Sequence, residues 1–352
     1  MKFNNILGLI ALSSIFVVGC KSQKEKFEFV TPKSGQSIVY GEKVALKMLF
    51  PDTTVDSVIY SVDGKVIGRK QDTSEVLLDT EKVGLGTRNL VARAYIAGKE
   101  STAYSNVTVL PETPRQFTFE KINAYPHDTK AFTQGLEYHN GVLYESTGAG
   151  SGLISSVRKV DLKTGEVLQR KDFVGKSENG RDYFGEGMTI VGDKIVMLTW
   201  LNNEGLVLNK SSFEKVGSFN YQNSTEGWGI CNAGEFLIKS DGSNKLTFLN
   251  PKTFQEVRSI TVYDNQGSVD FINELEFIDG KVYGNIYEKD VIAIIDPATG
   301  IVEGYINLLG LHSEPSKTDK ELNGIAYNAT TKNLYVTGKQ WDKLYEISVK
   351  AR

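Results

Sequence analysis

The chain has 352 residues, 40% of them apolar, which is enough for about two domains with real cores at roughly 150 residues each. Forty Lys and Arg against 43 Asp and Glu leave a formal charge of -3, and no run of like charges could track a phosphate backbone, so nucleic acid is excluded as a partner. Two cysteines build no disulfide framework, and His127, His139 and His312 are too scattered to seat a catalytic zinc. With 34 Gly and 33 Tyr plus Phe, and few helical periodicities, the chain reads as all-β.

Residues 1–19 read as a secretory leader: Lys2 is the positive start, and the apolar stretch Ile6 to Val18 is too short to span a bilayer as a permanent helix. Gly19-Cys20 at its end resembles the bacterial lipobox, which predicts acylation of Cys20 and a body tethered through residues 20–26. The expectation is an exported bacterial lipoprotein, held by its lipid alone on the periplasmic or cell-surface side of a membrane. An ordinary leader with an accidental cysteine is the alternative. Cys231 then has no partner and reads as a small buried hydrophobe.

Residues 27–110 show short β-branched or alternating runs separated by turn signals, including Val44 to Phe50, Val58 to Val62, Asn89 to Ile96 and Val107 to Leu110. Six or seven strands at that spacing predict an immunoglobulin-like sandwich, with Asp63-Gly64 as a hairpin turn. No catalytic cluster falls in it, so a spacer or docking role is expected. Residues 111–116, opening Pro111-Glu112-Thr113-Pro114, read as a stiff linker because neither proline can donate to a sheet ladder.

From 117 to 352 the sequence repeats. Segments beginning Gly135, Gly187, Gly229, Glu274 and Gly324 recur at intervals of 52, 42, 45 and 50 residues, each opening a strand. A second strand follows eight to ten residues later, then a third that leads in four repeats into alike hairpins at Asp161, Asn209, Asn250 and Asp296. Four strands per repeat at this period predict a five-bladed β-propeller. The fifth repeat ends after three strands, and Phe117 to Ile122 is the expected fourth that closes the ring.

The residue before each repeat start falls on one rim of the central channel: Gln134, Glu186, Trp228, Asn273 and Asn323. One carboxylate, three carboxamides and an indole converge there, a hydrogen-bonding set with a single titratable member. The bland alternative is a wet channel or a structural cation held by these groups. Trp200, Trp228 and Trp341 are the only tryptophans, and all fall near inner or second strands, which suggests the walls of one apolar pocket, with Phe132 and Phe184 added two residues before rim positions.

The stretch Tyr125 to Tyr138, together with Tyr144 to Gly148, Phe184 to Gly187, Leu198 to Trp200, Gly227 to Gly229, Ser240 to Ser243, Asn273 to Glu276, Leu322 to Ala326 and Val336 to Trp341, strongly resembles the glutamine cyclotransferase family, the plant and bacterial type of glutaminyl cyclase. The resemblance runs from about Phe117 to Val349. It implies conversion of N-terminal glutamine to pyroglutamate with release of ammonia, on peptide or protein substrates. The family's catalytic carboxylate falls on Glu186, and its substrate pocket on Phe132, Gln134, Phe184, Trp200, Trp228, Asn273 and Lys339. One position departs: Tyr287 stands where relatives place Trp. The loop at Ala149-Gly150-Ser151 also departs and reads as loop variation.

The rim chemistry agrees with that implication. Cyclisation is an intramolecular acyl transfer needing no Ser, Cys or metal nucleophile, so no cofactor is expected for catalysis. One carboxylate in an apolar pocket can take a proton from the attacking amine and return it to the departing ammonia. Gln134, Asn273, an indole N–H or Lys339 could bind the developing oxyanion; Lys339 reads alternatively as a salt-bridged surface lysine. A monomer is expected. The competing readings are a non-catalytic propeller that binds peptide N-termini or glycans, and a structural envelope protein.

Overall fold

The computed structural model describes residues 26–352 except 52, 53, 97, 151, 315, 316, 318 and 319. The expected leader, and Cys20 with it, lies outside the described residues. Contacts divide the chain into two compact units, one comprising 45–78 and 89–106 with the segment up to Ser34, the other 35–44, 79–88 and 107–352.

Ahead of Pro111 the described residues form eight strands, two more than the shortest count expected. One sheet has the order Glu28–Thr31, Lys43–Leu49, Val76–Asp79, and the other the order Gln36–Val39, Lys99–Leu110, Gly86–Ile96, Val55–Val62, Lys65–Lys70. The additional strands, Glu28–Thr31 and Gln36–Val39, have four residues each, too short to show alternation in sequence. Alternation is clear in the longer ones, where Val58, Tyr60 and Val62 or Leu90, Ala92 and Ala94 are buried and their neighbours are not. Asp63 and Gly64 both take positive φ, as a two-residue hairpin turn requires.

The repeats form antiparallel sheets. Three stand alone: Thr133–His139, Val142–Thr147, Ser156–Val160, Val167–Asp172; then Gly185–Val191, Lys194–Thr199, Glu204–Asn209, Lys215–Asn220; then Ile230–Asn232, Leu237–Ser240, Lys245–Leu249, Glu256–Thr261. Apart from a short two-stranded ladder of Tyr263–Asp264 with Gly267–Ser268, the remaining strands make one eight-stranded sheet, whose two antiparallel halves join through a parallel pair. Its first half is Ile272–Ile278, Lys281–Ile286, Val291–Ile295 and Val302–Asn307, and its second half runs Arg115–Pro126, Lys343–Ala351, Asn333–Gly338 and Leu322–Asn328. Phe117 pairs with Ala351 and Ile347 with Lys121, so the strand before the first repeat completes the last sheet. That strand begins at Arg115, inside the expected linker.

The first strands of the five repeats touch one another in a closed cycle, Thr133–His139 meeting both Gly185–Val191 and Leu322–Asn328. Apolar clusters follow the same cycle. Val157 and Met188 pack between the first and second repeats, Leu198 and Ile230 between the second and third, Ile238 and Leu275 between the third and fourth, Ile292 and Ile325 between the fourth and fifth, and Leu136 and Leu344 between the fifth and first. Each such side chain, fully buried, contributes about 1.5–3 kcal/mol. Close approach of the inner strands requires a residue without a side chain: a Cβ on Gly187 would lie 2.6 Å from the Trp228 carbonyl oxygen, the same oxygen that accepts the Gly187 N–H. In the fourth repeat Glu274 replaces the glycine, and its carboxylate accepts the N–H groups of Leu136 from the first repeat and Ile325 from the fifth.

The four alike hairpins share one geometry. Asp161, Asn209 and Asn250 each accept backbone N–H groups two and three residues on, and Gly165, Phe213, Phe254 and Gly300 take positive φ at the turn's end. Two phenylalanines tolerate that backbone because their rings are bound elsewhere, Phe213 fully buried and Phe254 stacked on Phe219 at 4.8 Å.

Candidate active site

The rim residues leave the ladder for a local reason. Between the first and second strands the register slips by one residue at Thr133/Gly135, Gly185/Met188, Ile272/Leu275 and Leu322/Ile325. Gln134, Glu186, Asn273 and Asn323 therefore sit in β-bulges, which re-aim a side chain out of the pleat.

Three of these, Gln134, Glu186 and Asn273, face a pocket of about 370 Å³ that is also lined by Phe132, Phe184, Trp200, Trp228, Tyr287 and Lys339, all expected, and by Ala149, Gly150, Leu153 and Gln340, which were not. The loop read as mere variation thus forms part of the wall. Gly148 precedes it, at the position that Trp200 occupies in the second repeat. A Cβ there would lie 2.5 Å from the Phe184 ring and 3.0 Å from that of Phe132, so only glycine lets these two rings close.

Glu186 is 5% exposed. The Gln134 amide donates to its Oε1 at 3.3 Å, and the Gln134 oxygen in turn accepts from Asn323 at 2.9 Å. Burial pushes the Glu186 carboxyl well above the usual carboxylate range; Lys339 opposes this, and Glu226 and Glu321 add to it. Asn273 is buried, and its side-chain oxygen has no hydrogen-bond partner among the described residues.

Lys339 is salt-bridged as the alternative had it, but buried rather than on the surface: its Nζ lies 2.5 Å from Glu321 Oε1, with the lysine 5% and the glutamate 0% exposed. The ammonium also lies 4.8 Å from the Phe132 ring centroid and 5.2 Å from that of Tyr287.

Asn323, expected on the channel rim, stands behind Gln134, donating to Gln134 and to the Thr133 carbonyl. Two expectations need correction. Trp341 is not a pocket wall but a core residue, 4% exposed, stacked on His312 at 4.2 Å and donating its N–H to the Lys320 carbonyl. Nor is an indole N–H free for an oxyanion, because Trp200 and Trp228 both donate to Glu226 Oε2, at 2.8 and 2.9 Å.

Glu226 and Glu321 escaped the sequence reading, although a signal was present. They occupy the position two before the rim in the third and fifth repeats, where the first and second hold Phe132 and Phe184. Glu145, by contrast, is committed to structure: despite burial, its carboxyl is held below the ordinary range by His127 and Arg158, with a further bond from Thr133. Cys231 is buried, and burial pushes its thiol up, away from the reactive thiolate. Among the described residues no group of three or more His, Cys, Asp or Glu could hold a metal ion.

The family model for glutamine cyclotransferase matches residues 90–349, about three-quarters of the chain. This chain belongs to the glutamine cyclotransferase family. It is 39% identical over 236 residues to a glutaminyl-peptide cyclotransferase of Arabidopsis thaliana, a match that covers 66% of this chain and 71% of the relative. The crystal structure of Myxococcus xanthus glutaminyl cyclase superposes with a TM-score of 0.61 at 31% identity, over 68% of this cyclotransferase and 99% of the bacterial enzyme.

Proposed function

We propose that this cyclotransferase converts the N-terminal glutamine of peptides or proteins to pyroglutamate, with Glu186 as the proton carrier. The α-amine attacks the γ-carboxamide carbon of its own residue, the new N–C bond closes a five-membered ring, and the C–N bond to the leaving nitrogen breaks. Glu186 accepts the proton lost by the attacking nitrogen and delivers one to the departing nitrogen, which leaves as ammonia. Its raised pKa suits both halves, because a base matched to neutral pH is also a competent acid once protonated.

The aromatic walls hold the side chain folded back on its amine, and that positioning is worth much of the barrier for an intramolecular step. The unpartnered Asn273 oxygen can accept from the substrate's N–H groups, and the Lys339 ammonium can face the developing oxyanion. Gln134 is held between Asn323 and Glu186, so its part is to orient the carboxylate.

The observation that carries this reading is a buried carboxylate, pushed up by burial, in an aromatic pocket of a chain that belongs to the glutamine cyclotransferase family. The reaction is read as cofactor-free. Its test is ammonia release from a Gln-initiated dipeptide, with and without EDTA: turnover should persist with the chelator. Loss with EDTA and recovery with zinc would overturn the mechanism.

The same proposal extends to the whole chain. The closed cycle of inner strands supports a five-bladed propeller, and the two N-terminal sheets support an immunoglobulin-like sandwich serving as spacer or docking module. The leader-like residues 1–19 and Cys20 support export as a lipid-anchored protein.

A further inference from the structure

The pocket wall is a chain of edge contacts with two breaks. Phe132 meets Phe184 at 6.1 Å between ring centroids, Phe184 meets Trp200 at 5.4 Å, and Trp228 meets Tyr287 at 5.6 Å. Lys339 spans one break, between Tyr287 and Phe132. The other lies between Trp200 and Trp228, where Glu226 Oε2 accepts both indole N–H groups.

We propose that Glu226 is a positioning residue that closes the aromatic wall by holding Trp200 and Trp228 on one carboxylate oxygen, and so sets the binding of the glutaminyl side chain. This rests on the function proposed above.

Three observations support it. Trp200 is 37% exposed, so burial alone does not fix its ring, and the hydrogen bond from its indole N–H to a fixed acceptor is a further restraint. Glu226 makes no ion pair with a Lys or Arg among the described residues, and its bonded oxygen serves the indoles alone. The backbone that carries it is itself held: Lys239, 1% exposed, donates to the Glu226 carbonyl at 3.1 Å and to the Ser224 hydroxyl, with its ammonium 4.4 Å from the Tyr221 ring centroid. A buried ammonium is costly to desolvate, and burial pushes this one down to about 8. Its bonds fix the turn from Ser224 to Glu226 and with it the direction of the carboxylate. Since Glu226 does not line the pocket, it acts through the indoles and not on the reacting atoms.

The experiment compares the parent with Glu226→Ala, Glu226→Asp and Glu226→Gln, reading KM and kcat for a Gln-initiated dipeptide, tryptophan emission and thermal unfolding. Read at a pH above the acidic limb of Glu186, Glu226→Ala should raise KM about tenfold, with kcat changed by less than about threefold, because an acceptor is lost from the wall, and loss of the Glu226 charge only moves that limb to lower pH. Its emission should shift to the red as the freed indoles meet water, while the core residue Trp341 supplies a constant background. Glu226→Gln keeps an acceptor oxygen of the same reach and should restore KM to within about threefold, with parental emission. Glu226→Asp, one methylene shorter, should fall between them, and it decides the matter if the alanine variant does not fold.

Parental KM and emission in Glu226→Ala and Glu226→Asp would overturn the proposal. So would a glutamine variant as impaired as alanine, since charge rather than the acceptor would then be at work. If the parent itself releases no ammonia from Gln-peptides, it is the proposed function that fails, and the emission of the variants still decides whether Glu226 holds the indoles.

Discussion

Glu186→Gln is the most direct perturbation of the proposed chemistry, because it keeps the shape of the side chain and removes only its ability to carry a proton. Gln134 touches Glu186 Oε1 at 3.3 Å, and the new amide can turn to offer its oxygen to the same donor, so the pocket should keep its form. Binding should survive and KM should stay near the parental value. The rate should fall by about 10² to 10⁴, equivalent to about 3–5 kcal/mol of transition-state stabilisation. The pH profile gives the sharper reading. A general base works in its ionised form, so kcat should be lost as pH falls through the Glu186 pKa and level off above it. Burial places that limb well above the ordinary carboxylate value of 4.5, and the slope should approach about tenfold per pH unit below it. Stopped ammonia-release assays from pH 4 upward on parent and variant would measure both. A variant that keeps the parental rate and the acidic limb would place the proton carrier elsewhere and refute the assignment.

Replacing Lys339 by Met removes the cation that opposes the rise in the Glu186 pKa, so the acidic limb should move to higher pH in the same assay. It also strands the buried Glu321 charge, which should cost about 3–5 kcal/mol in chemical denaturation; Lys339→Met with Glu321→Gln should recover most of that stability while kcat stays low. Cys20→Ser should shift the mature protein from the membrane to the soluble fraction, or leave an uncleaved precursor, and unchanged partitioning would argue against acylation. A chain starting at Pro114 should fold and turn over, whereas one starting at Ile122 loses the partners of Ile347 to Ala351 and should unfold at lower denaturant; equal stability of the two would disprove closure by that strand.

The repeat was legible in the sequence because its causes are local. Strand periodicity, the glycine that lets inner strands approach and the Asp or Asn that caps each outer hairpin all recur at fixed offsets, so register alone brought Glu186, Gln134 and Asn273 to one place. Trp200 was added by the grouping of tryptophans, and Tyr287 and Lys339 by the family resemblance alone; all three line the same pocket. What the tertiary structure alone decided is who is bound to whom at that place. Asn323 and Gln134 are equivalent in register, yet across 189 residues one came to stand behind the other. Trp341 shares the composition signal of the pocket tryptophans, but a core between repeats claims it. Glu226 reaches an indole 26 residues away in a neighbouring repeat, and Glu321 neutralises Lys339 from the facing end of its own sheet. Hydrogen bonds and charge pairs of this kind are made through space between side chains with several rotamers each, and a pattern that repeats along the chain fixes where those side chains start but not where they end.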